Sequence, residues 1–220
     1  MKSGTRGQPL KFAPSGALMT RLLLIRHGTA RLQGSNRFWG STDIELSDTG
    51  IRQAEQLRDR LSRIKIDAVY ASTLARATAT AEIIASRHKL PVNACEELCE
   101  CNFGFVEGLT FEEIKKRYPE MVQVMNGFNM LERFPGGESF SELENRVLKF
   151  LERLKEPEQK QTVAIVAHAS PLQIMICHLL GLEIKHWLQL RIDHASLSII
   201  EIYPRGAVLN LFNDTSHLKS

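Results

Sequence analysis

Leu22-Leu23-Leu24-Ile25-Arg26-His27-Gly28 is the stretch that decides the fold: an unbroken apolar run ending on a guanidinium, an imidazole and a residue with no side chain. A strand that is apolar on both faces belongs in a parallel sheet with helices covering each side. In open α/β sheets ligands bind beyond the carboxyl ends of the strands, which is where this run delivers His27. A permanent cation before the histidine and a glycine after it suit an anion, since a guanidinium fork matches phosphate oxygens and Gly lets the backbone come close. Taken alone, the triplet is equally a capped strand end with a solvent-facing histidine. The rest of the chain separates the two readings.

Residues 162–166 form a second β-branched apolar run, and it delivers His168 to its end as the first run delivers His27. Between the two, a helix over 48–63 with Ser47 as N-cap, a strand over 67–72, an Ala-rich helix over 74–87 and a short strand from Pro91 are expected. Thr110 with Glu113 and Ser139 with Glu142 have capping-box spacing, the first for a short helix ending before Pro119, the second for a long helix to about Leu154. A helix over 171–180, with Pro171 in its first turn and Gly181 at its stop, precedes a hairpin or edge pair over 196–202 and 207–211. The expected fold is α/β: a three-layer sandwich with a mostly parallel central sheet flanked by helices. Residues 107–138 interrupt the alternation and are expected to form a small helical insertion, a lid over the strand C-termini.

With 220 residues, 43% hydrophobic and 24% charged, the chain reads as a single domain over 20–220. Residues 1–19 have no continuous apolar stretch and read as a disordered extension rather than a signal peptide. A net charge of +3 without a basic block argues against nucleic acid, and the apolar runs are far too short to span a bilayer. Cys95, Cys99 and Cys101 cluster while Cys177 stands apart, unlike a secreted disulfide framework, so a cytoplasmic location is expected. The cluster lacks the paired spacing of zinc sites and reads as small packing residues; no metal or other cofactor is expected. His178, His186 and His194, spaced eight apart, match no ligand motif and read as surface or packing side chains.

Arg26, His27, Arg76, Glu100 and His168 all stand at strand or loop ends. Two guanidinium groups and two imidazoles converging there would make a pocket for a tetrahedral anion, because preorganised cations in a dry cleft stabilise the charge spread over phosphoryl oxygens. A neutral imidazole can attack phosphorus and carry the phosphoryl group as an intermediate. The departing alkoxide needs a proton, the task assigned to Glu100, whose carboxylate would then activate water. Positioning and charge suffice for such a transfer, so the chemistry demands no metal.

These residues resemble the histidine phosphatase superfamily, the group that includes cofactor-dependent phosphoglycerate mutases. Leu24-Ile25-Arg26-His27-Gly28, Leu46-Ser47-x-x-Gly50-x-x-Gln53-Ala54, Ser72-x-Leu74-x-Arg76-Ala77, Glu100-x-x-Phe103-Gly104-x-x-Glu107-Gly108, Pro135-x-Gly137-Glu138-Ser139 and Val166-Ala167-His168 occur in family order. The resemblance implies that His27 is the phosphorylated nucleophile, that Arg26, Arg76 and His168 bind the phosphoryl group, and that Glu100 is the proton donor. Gln33 stands where many relatives line the phosphate pocket with Asn, Thr29 where Glu is frequent, and Ala169 where Gly commonly follows the second histidine. Gln33 and Ala169 join the expected phosphate-binding set, Gln33 because its amide can still donate. Phe38 and Trp39, in the loop after the nucleophile, are expected to overhang the pocket. Phe103, Phe105, Phe128, Met130 and Phe134 are either substrate contacts or core packing.

The short roof and the Pro135-Gly136-Gly137-Glu138-Ser139 sequence resemble the broad-specificity and α-ribazole phosphatase branch. The resemblance implies a metal-independent phosphomonoesterase acting on a small-molecule phosphate ester, with α-ribazole 5'-phosphate as a candidate and a monomer or homodimer as the unit. Mutase-type phosphoryl transfer and a non-catalytic phosphate-binding module are the alternatives.

Overall fold

The two apolar runs are neighbouring parallel strands, β1 (Thr20–Arg26) and β4 (Gln161–Ala167), in a register that sets Arg26 opposite Ala167. That register brings the residues one step beyond each strand, His27 and His168, side by side, with the His27 amide bonded to the Ala167 carbonyl at 3.0 Å. The computed structural model describes residues 20–32, 34, 36–126, 129–154 and 161–218. The expected extension over 1–19, Gln33 and Phe128 lie outside them.

Among the described residues the sheet has six strands, in the order β3 (Val92–Cys95), β2 (Ala68–Ser72), β4, β1, β5 (Leu197–Tyr203) and β6 (Gly206–Asp214). β2 pairs in parallel with β4 on one side and with β3 on the other. The expected edge pair is β5 and β6, and β5 runs antiparallel to β1. The start of β5 therefore lies at the same end of the sheet as the finish of β1.

Alternate residues of β1 and β4 face opposite layers. Leu23, Ile25, Ala164 and Val166 pack under α1 (Asp48–Leu61) and α2 (Ala75–His88) through Leu57, Leu61, Ala81 and Ile84. Leu22, Leu24, Val163 and Ile165 pack under α5 (Phe140–Arg153) and α6 (Ala169–Leu180) through Leu143, Phe150, Ile174 and Met175. Burying both faces is what makes these strands apolar throughout; each large side chain so buried stabilises the fold by about 1.5–3 kcal/mol. Ser47 caps α1 by accepting from the Gly50 amide, and both expected capping boxes form, Thr110 with Glu113 on α3 (Phe111–Arg117) and Ser139 with Glu142 on α5. The helix after β4 begins at Ala169, before its proline, so His168 itself is the N-cap residue.

The segment expected to cover the strand ends does so only indirectly. Its helices, α3 and α4 (Met121–Met125), turn Ile114, Met121 and Val124 into the core instead. Backbone pairing of Phe38 with Leu109 and of Gly108 with Phe38, at 2.9 and 2.8 Å, makes 107–110 a brace for the loop that follows the nucleophile. Among the described residues no helix is long and apolar enough to cross a membrane.

Candidate active site

His27 is 5% exposed, and its Nδ1 lies 2.6 Å from the Gly28 carbonyl oxygen. A carbonyl only accepts, so Nδ1 carries the hydrogen and Nε2 keeps its lone pair. Burial, together with the Arg26 and Arg76 charges, pushes the His27 pKa well below the usual imidazole value, so the ring is neutral and nucleophilic. The turn beneath it is tightly built. A Cβ on Gly28 would stand 2.5 Å from the Gly50 carbonyl oxygen, and one on Gly50 would stand 2.1 Å from that of Thr29. Ser47 donates to the Thr29 carbonyl at 2.9 Å, while Gln53 Oε1 accepts from the Thr29 amide at 2.9 Å and its hydroxyl at 3.0 Å. The first turn of α1 is thus locked against the nucleophile's own backbone.

His168 is wholly buried, its ring centroid 4.9 Å from that of His27. Its Nε2 shares a hydrogen bond of 2.8 Å with Ser72 Oγ, and its Nδ1 is buried with no partner among the described residues. Burial first, then the neighbouring imidazole and guanidinium groups, lowers its pKa well below the usual value. Ser72 Oγ in turn lies 3.3 Å from Cys99 Sγ.

Arg26 and Arg76 are held by carbonyls. Arg26 Nη1 donates to the Ile192 carbonyl at 2.6 Å, and its Nε is buried without a partner among the described residues. Arg76, 3% exposed, donates to the carbonyls of Thr42 at 2.9 Å and Gly40 at 2.6 Å. Burial lowers both guanidinium pKa values, and Glu100 is the first of the charges that oppose the shift. Among the described residues neither arginine forms an ion pair, so both keep their charge for something else.

Glu100 Oε1 accepts from the Cys101 amide at 2.9 Å and Oε2 from the Ser170 amide at 3.4 Å. Its backbone is clamped by Arg146, which donates to the Glu97 and Glu100 carbonyls at 2.8 and 3.0 Å while paired with Glu138 at 2.7 Å. Glu107 performs the corresponding task for Arg76. Its carboxylate accepts from the Ser41 and Thr42 amides, both at 2.8 Å, and from the Phe103 amide at 3.1 Å, fixing the loop whose carbonyls grip that guanidinium.

The cavity at the strand ends is lined by Arg26, His27, Arg76 and Glu100, with Ala30, Leu32, Trp39 and Ile44 around them. Of the loop aromatics expected there, Trp39 lines it. Phe38 turns away, its ring edge-on to Phe103 at 6.4 Å and packed on the core, because a ring beside that cluster loses more water contact than one at the cavity rim. Phe134 is buried between Phe103 and Phe140, Met130 packs on the same core, and Phe105 is 67% exposed against Gly136, so these four side chains, Phe103 included, stand outside the cavity lining. Ala169 opens α6 beside His168.

His194 departs from the sequence expectation. It is neither a surface nor a plain packing residue: its ring centroid stands 5.4 Å from that of His27. The signal that would have located it is the antiparallel direction of β5, which puts the turn before that strand at the active end. Ala30, Leu32 and Ile44 were likewise unmarked, since a cavity wall of aliphatic residues has no sequence signature. All four cysteines are free, and among the described residues no group of His, Cys, Asp and Glu is arranged to hold a metal ion.

A neutral nucleophilic nitrogen, two guanidinium groups and a carboxylate thus line one cavity, and a second imidazole lies against the nucleophile's ring. That set can take a phosphoryl group from an oxygen, hold it and pass it to water. Comparison with known proteins agrees. The family model described as "Histidine phosphatase superfamily (branch 1)" matches residues 22–215. The chain is 34% identical over 200 residues to phosphoserine phosphatase 1 of Hydrogenobacter thermophilus, covering 91% of this chain and 95% of the relative. It is 30% identical over 193 residues to the adenosylcobalamin/α-ribazole phosphatase of Escherichia coli, covering 88% and 95%. The crystal structure of a putative α-ribazole-5'-P phosphatase from Escherichia coli superposes with a TM-score of 0.83 at 30% identity, covering 89% of this chain and 97% of that one.

Proposed function

The chain belongs to the histidine phosphatase superfamily and is a phosphatase, a hydrolase of phosphoric monoesters, and from that premise we propose that it works without metal, through a phosphohistidine on His27. The observation that carries this reading is the neutral His27, with its lone pair on Nε2, flanked by guanidinium groups that form no ion pair among the described residues. In the first step the Nε2–P bond forms as the ester P–O bond breaks, and the departing oxygen takes a proton from Glu100. In the second, water attacks phosphorus, its proton passes to the Glu100 carboxylate, and the P–N bond breaks to release orthophosphate and restore His27. Arg26, Arg76 and His168 bind the non-bridging oxygens throughout, and Gln33 and Ala169 belong to the same phosphate-binding set.

The substrate is a small phosphorylated metabolite whose leaving group carries apolar surface. Trp39, Leu32, Ile44 and Ala30 offer aliphatic and aromatic surface beside the cations, which suits the leaving group of α-ribazole 5'-phosphate, the compound in the names of the Escherichia coli relatives. The Hydrogenobacter relative, named for phosphoserine, makes that ester the competing candidate. Four free thiols, with Cys99 in contact with Ser72, fit a reducing cytoplasm.

The test is phosphate release from α-ribazole 5'-phosphate, phosphoserine, 3-phosphoglycerate and p-nitrophenyl phosphate, with chelator present, by wild type and His27→Ala. Release by wild type and none by His27→Ala is expected. Equal release by both removes the nucleophile, and isomerisation of 3-phosphoglycerate with a bisphosphoglycerate primer, without net release, makes the enzyme a mutase.

A further inference from the structure

β1 has a neighbour on each side, β4 and β5, and each sends a histidine to its end. His168 comes from β4 and His194 from the turn entering β5, and their rings flank His27 with centroids at 4.9 and 5.4 Å and the same interplanar angle of 59°. The resemblance in geometry extends to hydrogen bonding: His168 Nδ1 and His194 Nε2 are both buried without a partner among the described residues, and so is Arg26 Nε beside them. A buried nitrogen left unpaired is costly and is retained where a ligand atom completes it.

The His194 turn is built to stay in place. Arg26 holds the Ile192 carbonyl, the Ala195 amide donates to the His27 carbonyl at 3.1 Å, and Asp193 exchanges hydrogen bonds of 2.7 and 2.8 Å with Asn213. Ala195 sits in the left-handed region at φ 51°, a conformation that non-glycine residues adopt only where their surroundings impose it. Burial and the Arg26 charge bring the His194 pKa down to about 3, so the ring is uncharged and one of its nitrogens carries a hydrogen.

We propose that His194 is a phosphoryl-binding residue of this site, donating from Nε2 to an oxygen of the group in transit on His27, on the side opposite His168. The proposal rests on the phosphatase reading above and adds to it an uncharged donor from the antiparallel half of the sheet. An uncharged donor steadies the phosphoryl oxygens without adding to the cationic grip that orthophosphate must escape when it leaves.

His194→Phe keeps a ring against His27 and removes the nitrogens, whereas His194→Gln returns an amide N–H. The measurements are kcat/KM for p-nitrophenyl phosphate, inhibition by orthophosphate, and thermal melting. For His194→Phe, kcat/KM falls about 10- to 100-fold and orthophosphate inhibition weakens several-fold, the loss expected of one hydrogen bond to a charged group. His194→Gln recovers part of both. His194→Phe within about threefold of wild type on both measures reduces His194 to ring packing and overturns the proposal. So does a His194→Gln variant that melts like wild type yet is as impaired as His194→Phe. If wild type releases no phosphate from any ester, the phosphatase reading fails by itself, and orthophosphate affinity in the three proteins still decides the role of His194.

Discussion

Glu107→Gln tests whether the loop over 40–42, rather than Arg76 itself, sets the position of the second guanidinium. In the native site Glu107 Oε1 accepts from the Ser41 amide at 2.8 Å, the Ser41 hydroxyl at 3.0 Å and the Phe103 amide at 3.1 Å, while Oε2 accepts from the Thr42 amide at 2.8 Å and from the Thr42 hydroxyl. An amide must turn its N–H groups toward one of these sets of donors. The less damaging choice is the Thr42 side, where the hydroxyl can rotate to accept and a single backbone N–H is left facing another donor. Losing one charge-assisted bond costs about 1.5–3 kcal/mol, and the partial exposure of Glu107 points to the lower end. If that cost is felt through the Thr42 and Gly40 carbonyls that hold Arg76, kcat/KM for p-nitrophenyl phosphate drops about tenfold. Glu107→Ala, which abandons every bond, drops it further. Steady-state phosphate release gives the number, and a double-mutant cycle with Arg76→Lys gives the mechanism, because two changes acting through one contact are not additive. The reasoning is refuted if Glu107→Gln melts at a lower temperature yet keeps kcat/KM within twofold, or if the two substitutions combine additively.

Glu100→Gln should lose far more activity on alkyl phosphates than on p-nitrophenyl phosphate, since nitrophenolate departs with little help from an acid; equal losses in phosphate release would take Glu100 out of that role. Stability should decline on acidification from pH 7.5 to 5.5. His27, His168 and His194 are held uncharged by burial and nearby arginines, His194 down to about pKa 3, whereas in the unfolded chain they titrate near 6.5 and bind protons below it. The unfolded state therefore gains protons first, and each such histidine costs up to about 1.4 kcal/mol per pH unit below 6.5, with the full stability present above it. Urea denaturation across that range measures the slope, and a flat profile contradicts the burial of these rings. Gly50→Ala drives a methyl to 2.1 Å from the Thr29 carbonyl oxygen, so differential scanning should show a loss of about 1–3 kcal/mol together with reduced kcat; a variant that melts like wild type would mean the turn under His27 is not closely packed.

Much of this protein is written locally. Runs that are apolar at every position and rich in branched residues, such as 22–25 and 163–166, suit strands covered on both faces, and capping residues such as Ser47, Thr110 and Ser139 announce helix starts because the backbone N–H groups they satisfy are close in sequence. The groups that can act on a phosphate were legible for a similar reason, since Arg26 ends the first strand, His27 and His168 stand directly after the two strands, and strand ends carry sites. What the tertiary structure alone decided is whatever depends on pairing across the sheet. The order of strands places β5 against β1 and so turns His194 from an unremarked histidine into a neighbour of the nucleophile. Side-chain direction sent Trp39 to the cavity and Phe38, the adjacent residue, to the core. Glu107 and Glu138 act on the site through backbone carbonyls and amides contributed by other segments. Spacing along a chain reports periodicity within one element; it carries no record of which elements lie side by side, because that is set by long-range burial and register, and the site is assembled from those.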